Sequence, residues 1–498
     1  MSVAFSNDGS EAIHRNVTVA ESCQAENTDW SDTFQISDCA KWIKDSSFQR
    51  VALQFPDDLL SVSIQICRAL QQATDVLVFV LADTAYGSCC VDEVAAEHHN
   101  ADSIVHFGQA CLSPTSRLPV FYAFGRQEIE ISKASAALKD VLPSERPLLV
   151  LADVVYQHKL DAVVEELKKN FSNVIGSEVV LPKSESGGCE GVRQCHCASG
   201  DTDNTEVRDN TNTEEVEIDL KVNSVYGRTF QPENLDEANL LVVYLGNEGP
   251  AMTNWILHFK ESEFYSCDPS KNIARKESVN VNKYLMKRYF LVEKAKDSQI
   301  VGILVGTLGV HHYLDSISRL KTLIKKAGKK SYTFVVGKVN VAKLANFMEI
   351  DIYVLVACPL NSLLDSSEFY RPVITPYEFE LACNPSRTWT GHLILDFNQL
   401  LPGGSDYVEE PETYEEETDV SLVTGATRRL GLTELDPADG QLMTKETAIA
   451  TLPSAGSFLA ERSWKGLEQN LGKTPVTKAT KGRKGIAISY EEEPPNEN

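Results

Sequence analysis

The 498-residue sequence lacks any apolar run long enough to cross a membrane and has fewer basic than acidic side chains. Its longest apolar run, residues 76–82, is far shorter than the roughly 20 residues that span a bilayer. The 47 Lys and Arg against 71 Asp and Glu give a net charge of −24. Duplex nucleic acid and anionic membrane surfaces are therefore not expected partners, because both require clustered basic side chains.

Several common motifs are also missing. The sequence has no G-x-x-x-x-G-K-[ST] phosphate loop, no G-x-G-x-x-G fingerprint, no H-E-x-x-H helix and no G-x-S-x-G elbow. It also lacks the closely spaced C-x-x-x-C-x-x-C of many radical enzymes. The first 30 residues have neither a basic start nor a long apolar stretch, so no secretory signal is predicted. The 12 cysteines are therefore expected to be reduced, as they would be in the cytosol or the nucleus.

What the chain does contain is an alternation of short apolar runs with helical patterns, repeated three times. Strand, helix and strand in succession predict parallel sheets covered by helices, an α/β fold. The matching segments 101–111 and 350–358 both run from an acidic residue through a strand to Ala-Cys, which favours a weak threefold repeat. The predicted strands are residues 51–55, 76–81, 103–107, 147–152, 172–175, 240–245, 300–305, 332–336 and 352–356.

Composition divides the chain further. Residues 183–222 and 403–418 are strongly acidic with little apolar clustering, which is typical of disordered insertions and linkers. The predicted division is a flexible leader 1–35, α/β domains 36–135, 136–290 and 291–400, and an acidic linker with C-terminal extension 401–498.

Four cysteines stand just past predicted strands: Cys89, Cys90, Cys111 and Cys358. The carboxyl ends of parallel strands are where open α/β sheets place their ligands. Cys89 and Cys90 also precede a predicted helix, whose N-terminal dipole favours the thiolate. Three thiolates from separate strand ends suit an iron–sulfur cluster or zinc, and three ligands would leave one iron of a cluster open. The alternative is that all four are ordinary buried thiols near loops.

Two adjacent cysteines in a tight turn are expected to send only one sulfur into a given site.

Other candidates have weaker patterns. Cys195-His-Cys197 with nearby Cys189 is a poor zinc motif, since no second C-x-x-C accompanies it. A solvated helix end, a cap or simple packing is expected for the remaining residues, which are His98, His99, His311, His312, Cys67 and Cys383.

Several stretches resemble the diphthamide synthase family. The most specific of them is Tyr86-Gly-Ser-Cys-Cys-Val-Asp92, and the ending 466–488 is more similar to the second eukaryotic subunit type than to the first. The resemblance spans about residues 35–490 apart from the acidic insertion. Its other parts are residues 51–57, 105–114, 356–359, 371–378 and 419–425.

The resemblance implies three homologous Rossmann-like domains in a pseudo-threefold arrangement with a 4Fe-4S cluster at their meeting point. It implies a reaction in which S-adenosylmethionine is cleaved reductively to a 3-amino-3-carboxypropyl radical. The radical adds to a histidine of translation elongation factor 2, the first step of diphthamide biosynthesis. It further implies a heterodimer of two homologous subunits, with a reductase or small iron protein as electron donor.

Carried over by position, the resemblance makes Cys90, Cys111 and Cys358 the cluster ligands, with Cys89 as a substitute for Cys90. Catalytic family members place one ligand in each domain. Here domain 1 supplies two, and the middle domain offers only Cys189 in an insertion-like context. This departure favours a supporting subunit with no catalytic residues of its own, which assists electron transfer to the catalytic cluster of the first subunit. The alternatives are a self-sufficient homodimeric transferase and a cluster-free scaffold.

Overall fold

The structure is a computed structural model of the chain. It divides into two compact units, residues 1–444 and 445–498, and in the second the structure describes only the antiparallel pair β18 (Gly485–Ile486) and β19 (Ser489–Tyr490). The described residues are 30–82, 87–143, 146–182, 224–231, 237–277, 281–364, 368–411, 417–425, 427–430, 485–486 and 489–490. The predicted acidic insertion 183–222 and most of the predicted leader and tail lie outside them.

Sheet 1 is parallel throughout, in the order β2-β1-β3-β4. Its central strands are buried along most of their length because helices cover both faces, which accounts for their nearly continuous apolar sequence. Its strands are β1 (Arg50–Gln54), β2 (Leu77–Val80), β3 (Ser103–Phe107) and β4 (Val120–Ala123).

Sheet 2 has the order β11-β10-β9-β5-β6, parallel except for β11 at one edge. Strands β7 and β8 form a short antiparallel pair of their own. The undescribed residues 183–223 lie between them in the sequence. These strands are β5 (Leu148–Ala152), β6 (Val174–Gly176), β7 (Glu178–Val179), β8 (Arg228–Thr229), β9 (Leu241–Leu245), β10 (Glu263–Asp268) and β11 (Ile273–Lys276).

Sheet 3 is again parallel, in the order β13-β12-β14-β15. Counted within each sheet, the first four strands of all three sheets share one order, second-first-third-fourth. The predicted α/β class with parallel sheets is therefore confirmed. The strands are β12 (Ile300–Val305), β13 (Lys330–Val335), β14 (Ile352–Val356) and β15 (Val373–Ile374), and a separate pair is β16 (Glu417–Val420) with β17 (Thr427–Leu430).

Helices connect the strands, and none in the described part of the chain is long and apolar enough to span a membrane. They begin at Trp30, within the predicted leader, and Phe34 beyond the first helix is buried in the core of sheet 1. The helices are α1 (Trp30–Thr33), α2 (Ile36–Asp45), α3 (Leu60–Thr74), α4 (Glu93–His98), α5 (Ile131–Val141), α6 (Leu160–Lys168), α7 (Pro250–His258), α8 (Val281–Asp297), α9 (Tyr313–Lys326), α10 (Val341–Leu344) and α11 (Pro376–Cys383).

Helix α11 is buried along its whole length and is fastened by ionic contacts. Glu378 closes a capping box with Thr375 at its start and also pairs with the Arg288 guanidinium of α8 through two hydrogen bonds. The two side chains of this ion pair are only 4% and 0% exposed. A bidentate pair whose carboxylate also accepts hydrogen bonds from the Thr375 amide and hydroxyl is a geometry in which a buried charge is tolerated.

We expect Arg288→Met to lower the free energy of unfolding by about 3–5 kcal/mol, because it leaves the buried Glu378 carboxylate without its ionic partner. Adding Glu378→Gln should recover much of that loss, since the amide oxygen still accepts the cap hydrogen bonds but carries no charge. Urea unfolding followed by circular dichroism measures both. The exposed pair Lys133–Glu130 is the control, where Lys133→Met should shift the midpoint little. An unchanged midpoint for Arg288→Met would refute the account.

Candidate metal centre

The turn that carries Cys89 and Cys90 follows a strand of sheet 1 and is held in place by Gln54, the last residue of β1. The Gln54 amide donates to the Cys90 carbonyl at 2.7 Å and accepts from the Asp92 amide at 2.9 Å. Asp92 in turn caps α4, its carboxylate accepting from the Ala95 amide. A buried glutamine that satisfies two backbone groups at once holds this turn in one conformation.

The other two cysteines each follow the end of a strand, in two different sheets. Cys111 comes shortly after β3, and its amide donates to the Cys89 carbonyl at 2.9 Å, which ties the two loops of sheet 1 together. Cys358 follows β14 of sheet 3, and its carbonyl accepts from the Asn361 amide at 3.0 Å in a tight turn. The sequence placed all four cysteines at strand ends, and the structure agrees.

The four sulfurs form one group. The Sγ atoms of Cys89, Cys90, Cys111 and Cys358 all lie within 4.8 Å of one another, and all four residues are buried. Cys89 Sγ is 3.6 Å from Cys358 Sγ, and Cys111 Sγ is 4.0 Å from Cys90 Sγ. Both adjacent cysteines therefore face the same site, contrary to the expectation that only one of them would.

Close contact between the loops of sheets 1 and 3 makes this grouping possible. A Cβ on Gly309, in the loop after β12, would lie 1.9 Å from the carbonyl oxygen of Val91, so only glycine fits there. Nearby, the His311 amide donates to the Pro114 carbonyl at 2.9 Å. The thiols of two sheets thus meet because backbone packs directly on backbone.

Sheet 2 reaches the site with polar groups. The Asn254 amide of α7 donates to the Pro359 carbonyl, next to Cys358, at 2.9 Å. The one described cysteine of this part of the chain, Cys267, lies in the core on β10 and is not in the thiol group. Cys189 lies outside the described residues, as does Cys195-His-Cys197.

A small cavity of about 40 Å³ borders Cys111 where these loops meet. Burial raises the pKa of Asp153 in its wall, and the Asp153 carboxylate accepts a hydrogen bond from the Tyr244 hydroxyl at 3.2 Å. The Arg228 guanidinium, also in the wall, donates to Gln157 at 2.7 Å. The cavity is large enough for about one or two waters. Its other lining residues include Gln109, Tyr226, Asn254, Trp255 and Pro359.

The charge state of the thiols is coupled. The neighbouring thiols of Cys358, Cys89 and Cys90 stabilise the Cys111 thiolate and hold the pKa of Cys111 well below its usual value. The pKa of Cys90 and that of Cys358 are raised well above it, chiefly because each faces the Cys111 sulfur. Without a cation, a thiolate on Cys111 therefore disfavours a second one on Cys90 or Cys358, whereas a bound metal stabilises several thiolates at once.

Two further buried polar side chains lie beneath the thiols, on strands β3 and β4. His106 and Tyr122 are paired in register, and neither the His106 ring nitrogens nor the Tyr122 hydroxyl has a hydrogen-bond partner among the described residues. Burial lowers the pKa of His106 to about 4, so the imidazole is neutral at physiological pH. The sequence pattern did not reveal these residues, although a His inside an apolar strand was the available indication.

The donor set fits soft metals. Thiolates bind iron–sulfur clusters and zinc, and four of them is the usual number for either. A single zinc ion at about 2.3 Å from each sulfur would hold the sulfurs about 3.8 Å apart, close to the spacing here. A cubane cluster places its own sulfide and iron core between the thiolates, so they would spread apart to hold it.

The remaining sequence candidates stay outside the site. His98 and His99 are exposed at the end of α4, as predicted. The His312 ring contacts Asp315 at the start of α9, and Cys383 and Cys67 pack in or against hydrophobic core, also as predicted.

Comparison with known proteins yields a consistent set of relatives. The profile of the family described as "Putative diphthamide synthesis protein" matches residues 55–394. A protein of Danio rerio named "2-(3-amino-3-carboxypropyl)histidine synthase subunit 2" is 45% identical, over 99% of this chain and 98% of its own length. Proteins of the same name from Schizosaccharomyces pombe and Homo sapiens are 35% and 33% identical, and they cover 97% and 93% of this chain.

Among solved structures, the crystal structure of Dph2 from Pyrococcus horikoshii with a 4Fe-4S cluster matches with a TM-score of 0.50 at 20% identity. The match covers 76% of this chain and 96% of that one, and it shows a shared fold. Since the family profile covers more than half of the chain and the relatives match nearly all of it, the chain belongs to the diphthamide synthesis family, among relatives named as the synthase's second subunit.

Proposed function

We propose that this chain is the iron–sulfur subunit of a heterodimeric 3-amino-3-carboxypropyl transferase. The complex transfers that group from S-adenosylmethionine to a histidine of translation elongation factor 2. The chain pairs with a homologous first subunit, in the cytoplasm, and a reductase or small iron protein supplies electrons. The observation that carries the proposal is the buried group of four thiols at the loops of sheets 1 and 3.

In this proposal Cys90, Cys111 and Cys358 hold a 4Fe-4S cluster, and Cys89 supplies a fourth thiol beside them. When bound, the cluster supplies one-electron chemistry. The protein keeps water away, because all four residues are less than a tenth exposed. Gln54 fixes the turn of Cys89 and Cys90, and Asn254 fixes the turn of Cys358. These contacts hold the ligands before any metal arrives.

A supporting role, rather than catalysis, is favoured by the distribution of the thiols. The described part of sheet 2 contributes no thiol to the group, whereas the resemblance expects one ligand from each domain of a catalytic member. The common strand order of the three sheets supports three homologous domains, in the proposed pseudo-threefold arrangement.

The metal assignment is tested by iron and sulfide analysis of the chain purified anaerobically with a partner subunit whose own cluster ligands have been replaced, so that all bound iron belongs to this chain. We expect about four irons at this site, broad visible absorbance, and loss of both after joint replacement of Cys90, Cys111 and Cys358 by Ala. Cys383→Ala is the matched control, because Cys383 is equally buried but lies outside the thiol group. Zinc in place of iron, or unchanged iron in the triple variant, would overturn the assignment.

The role in the complex is tested by product formation. With a reductant and S-adenosylmethionine, we expect modification of the elongation factor only when both subunits are present. Activity of the isolated chain would support the self-sufficient homodimer instead. The triple cysteine variant should bind the first subunit yet slow turnover of the complex with the physiological electron donor by at least about tenfold. Full activity of that complex would support the cluster-free scaffold.

A further inference from the structure

Asn361 contacts two of the four thiols, and neither the sequence pattern nor the family assignment gives it a role. Its amide nitrogen Nδ2 lies 3.2 Å from Cys89 Sγ and 3.5 Å from Cys358 Sγ. The two sulfurs come from different sheets and are themselves 3.6 Å apart. The NH₂ group has two hydrogens, so it can donate to both sulfurs at once.

The orientation of this amide follows from charge. A carbonyl oxygen facing a thiolate would repel it, whereas the N–H groups carry partial positive charge toward it. Gly87 makes room for this arrangement from the other side. A Cβ built on Gly87 would lie 1.8 Å from Asn361 Nδ2 and 2.8 Å from Cγ. The absence of a side chain at 87 therefore lets the amide lie against the thiols.

The side chain of Asn361 is not needed to make the turn. The backbone amide of Asn361 already donates to the Cys358 carbonyl at 3.0 Å, and Ser362 adds a side-chain bond to the Pro359 carbonyl at 3.1 Å. The contact of Nδ2 with sulfur is thus separate from the fold of the loop.

We propose that Asn361 is a positioning residue that sets the reduction potential of the metal centre by donating N–H groups to Cys358, a proposed cluster ligand, and to Cys89, the fourth thiol beside it. This inference rests on the proposed iron–sulfur function. One-electron reduction adds one negative charge to the cluster and its thiolates. Hydrogen bonds to the sulfurs stabilise that added charge, so they make reduction easier.

The test is a potentiometric titration with dithionite, followed by electron paramagnetic resonance, of the anaerobic complex in which the cluster ligands of the first subunit have been replaced. Asn361→Leu should lower the midpoint potential by about 59 mV. At the wild-type midpoint potential, the ratio of reduced to oxidised centre would then be about tenfold lower. Asn361→Asp, which has the same shape, should lower it further because it brings a negative charge. Gly87→Ala should shift it in the same direction by displacing the amide.

Ser362→Ala is the matched control, because it removes a hydrogen bond of the same turn but touches no sulfur; its midpoint should equal that of the wild type. An Asn361→Leu centre with full iron and an unchanged midpoint would overturn the inference and leave the proposed function intact. A wild-type complex whose iron is not held by these cysteines would instead refute the proposed function.

A second readout covers the case in which the variants fail to retain the cluster. In the wild-type complex with asparagine amides labelled with ¹⁵N, the reduced centre should show a weak ¹⁵N hyperfine coupling from the side chain beside Cys89 and Cys358. Absence of that coupling would also overturn the inference.

Discussion

The direct packing of backbone on backbone between the loops of sheets 1 and 3 is the constraint on which the rest of the site depends. Gly309 lies against the Val91 carbonyl with no room for a side chain, and His311 bonds across to Pro114. Only at this separation can Cys358 meet the cysteines of sheet 1. The main core of sheet 1 contains none of these cysteines; Cys89, Cys90 and Cys111 instead join the hydrophobic cluster of sheet 3, where the loops of the two sheets touch.

Burial then determines what the group can bind. A buried neutral thiol packs like a small apolar side chain. A second buried thiolate beside Cys111 is unfavourable, and the pKa values of Cys90 and Cys358 are raised for this reason. A cationic centre reverses that preference and makes several thiolates stable together. Neutral His106 and the amide of Asn361 add no negative charge nearby. The surroundings therefore favour further thiolates beside Cys111 only when a metal is present.

Much of this site was accessible from the sequence. Apolar runs such as 103–107 and 352–356 are uninterrupted because both faces of a parallel strand are buried, so the strands and the cysteines at their ends could be predicted. Helix α3 was harder: the helical spacing of Leu60, Ile64 and Leu70 predicts one buried apolar face, but Leu60 and Ile64 are 40% and 61% exposed, while Leu70 is buried. Sequence periodicity does not reveal contacts between distant segments, and such contacts give Asn361, Gln54 and Gly309 their roles. Short strands such as β4 and β15 were missed for the same reason.

The central claim is that Cys90, Cys111 and Cys358 hold iron together. Iron K-edge X-ray absorption of the anaerobically purified complex, with the cluster of the first subunit removed by mutation, tests it most directly. The account predicts sulfur neighbours around each iron and a second shell of iron at the short distance found in a cubane, both lost in the triple cysteine variant. A zinc edge with four sulfurs and no metal neighbour, or an iron spectrum that the variant leaves unchanged, would contradict it.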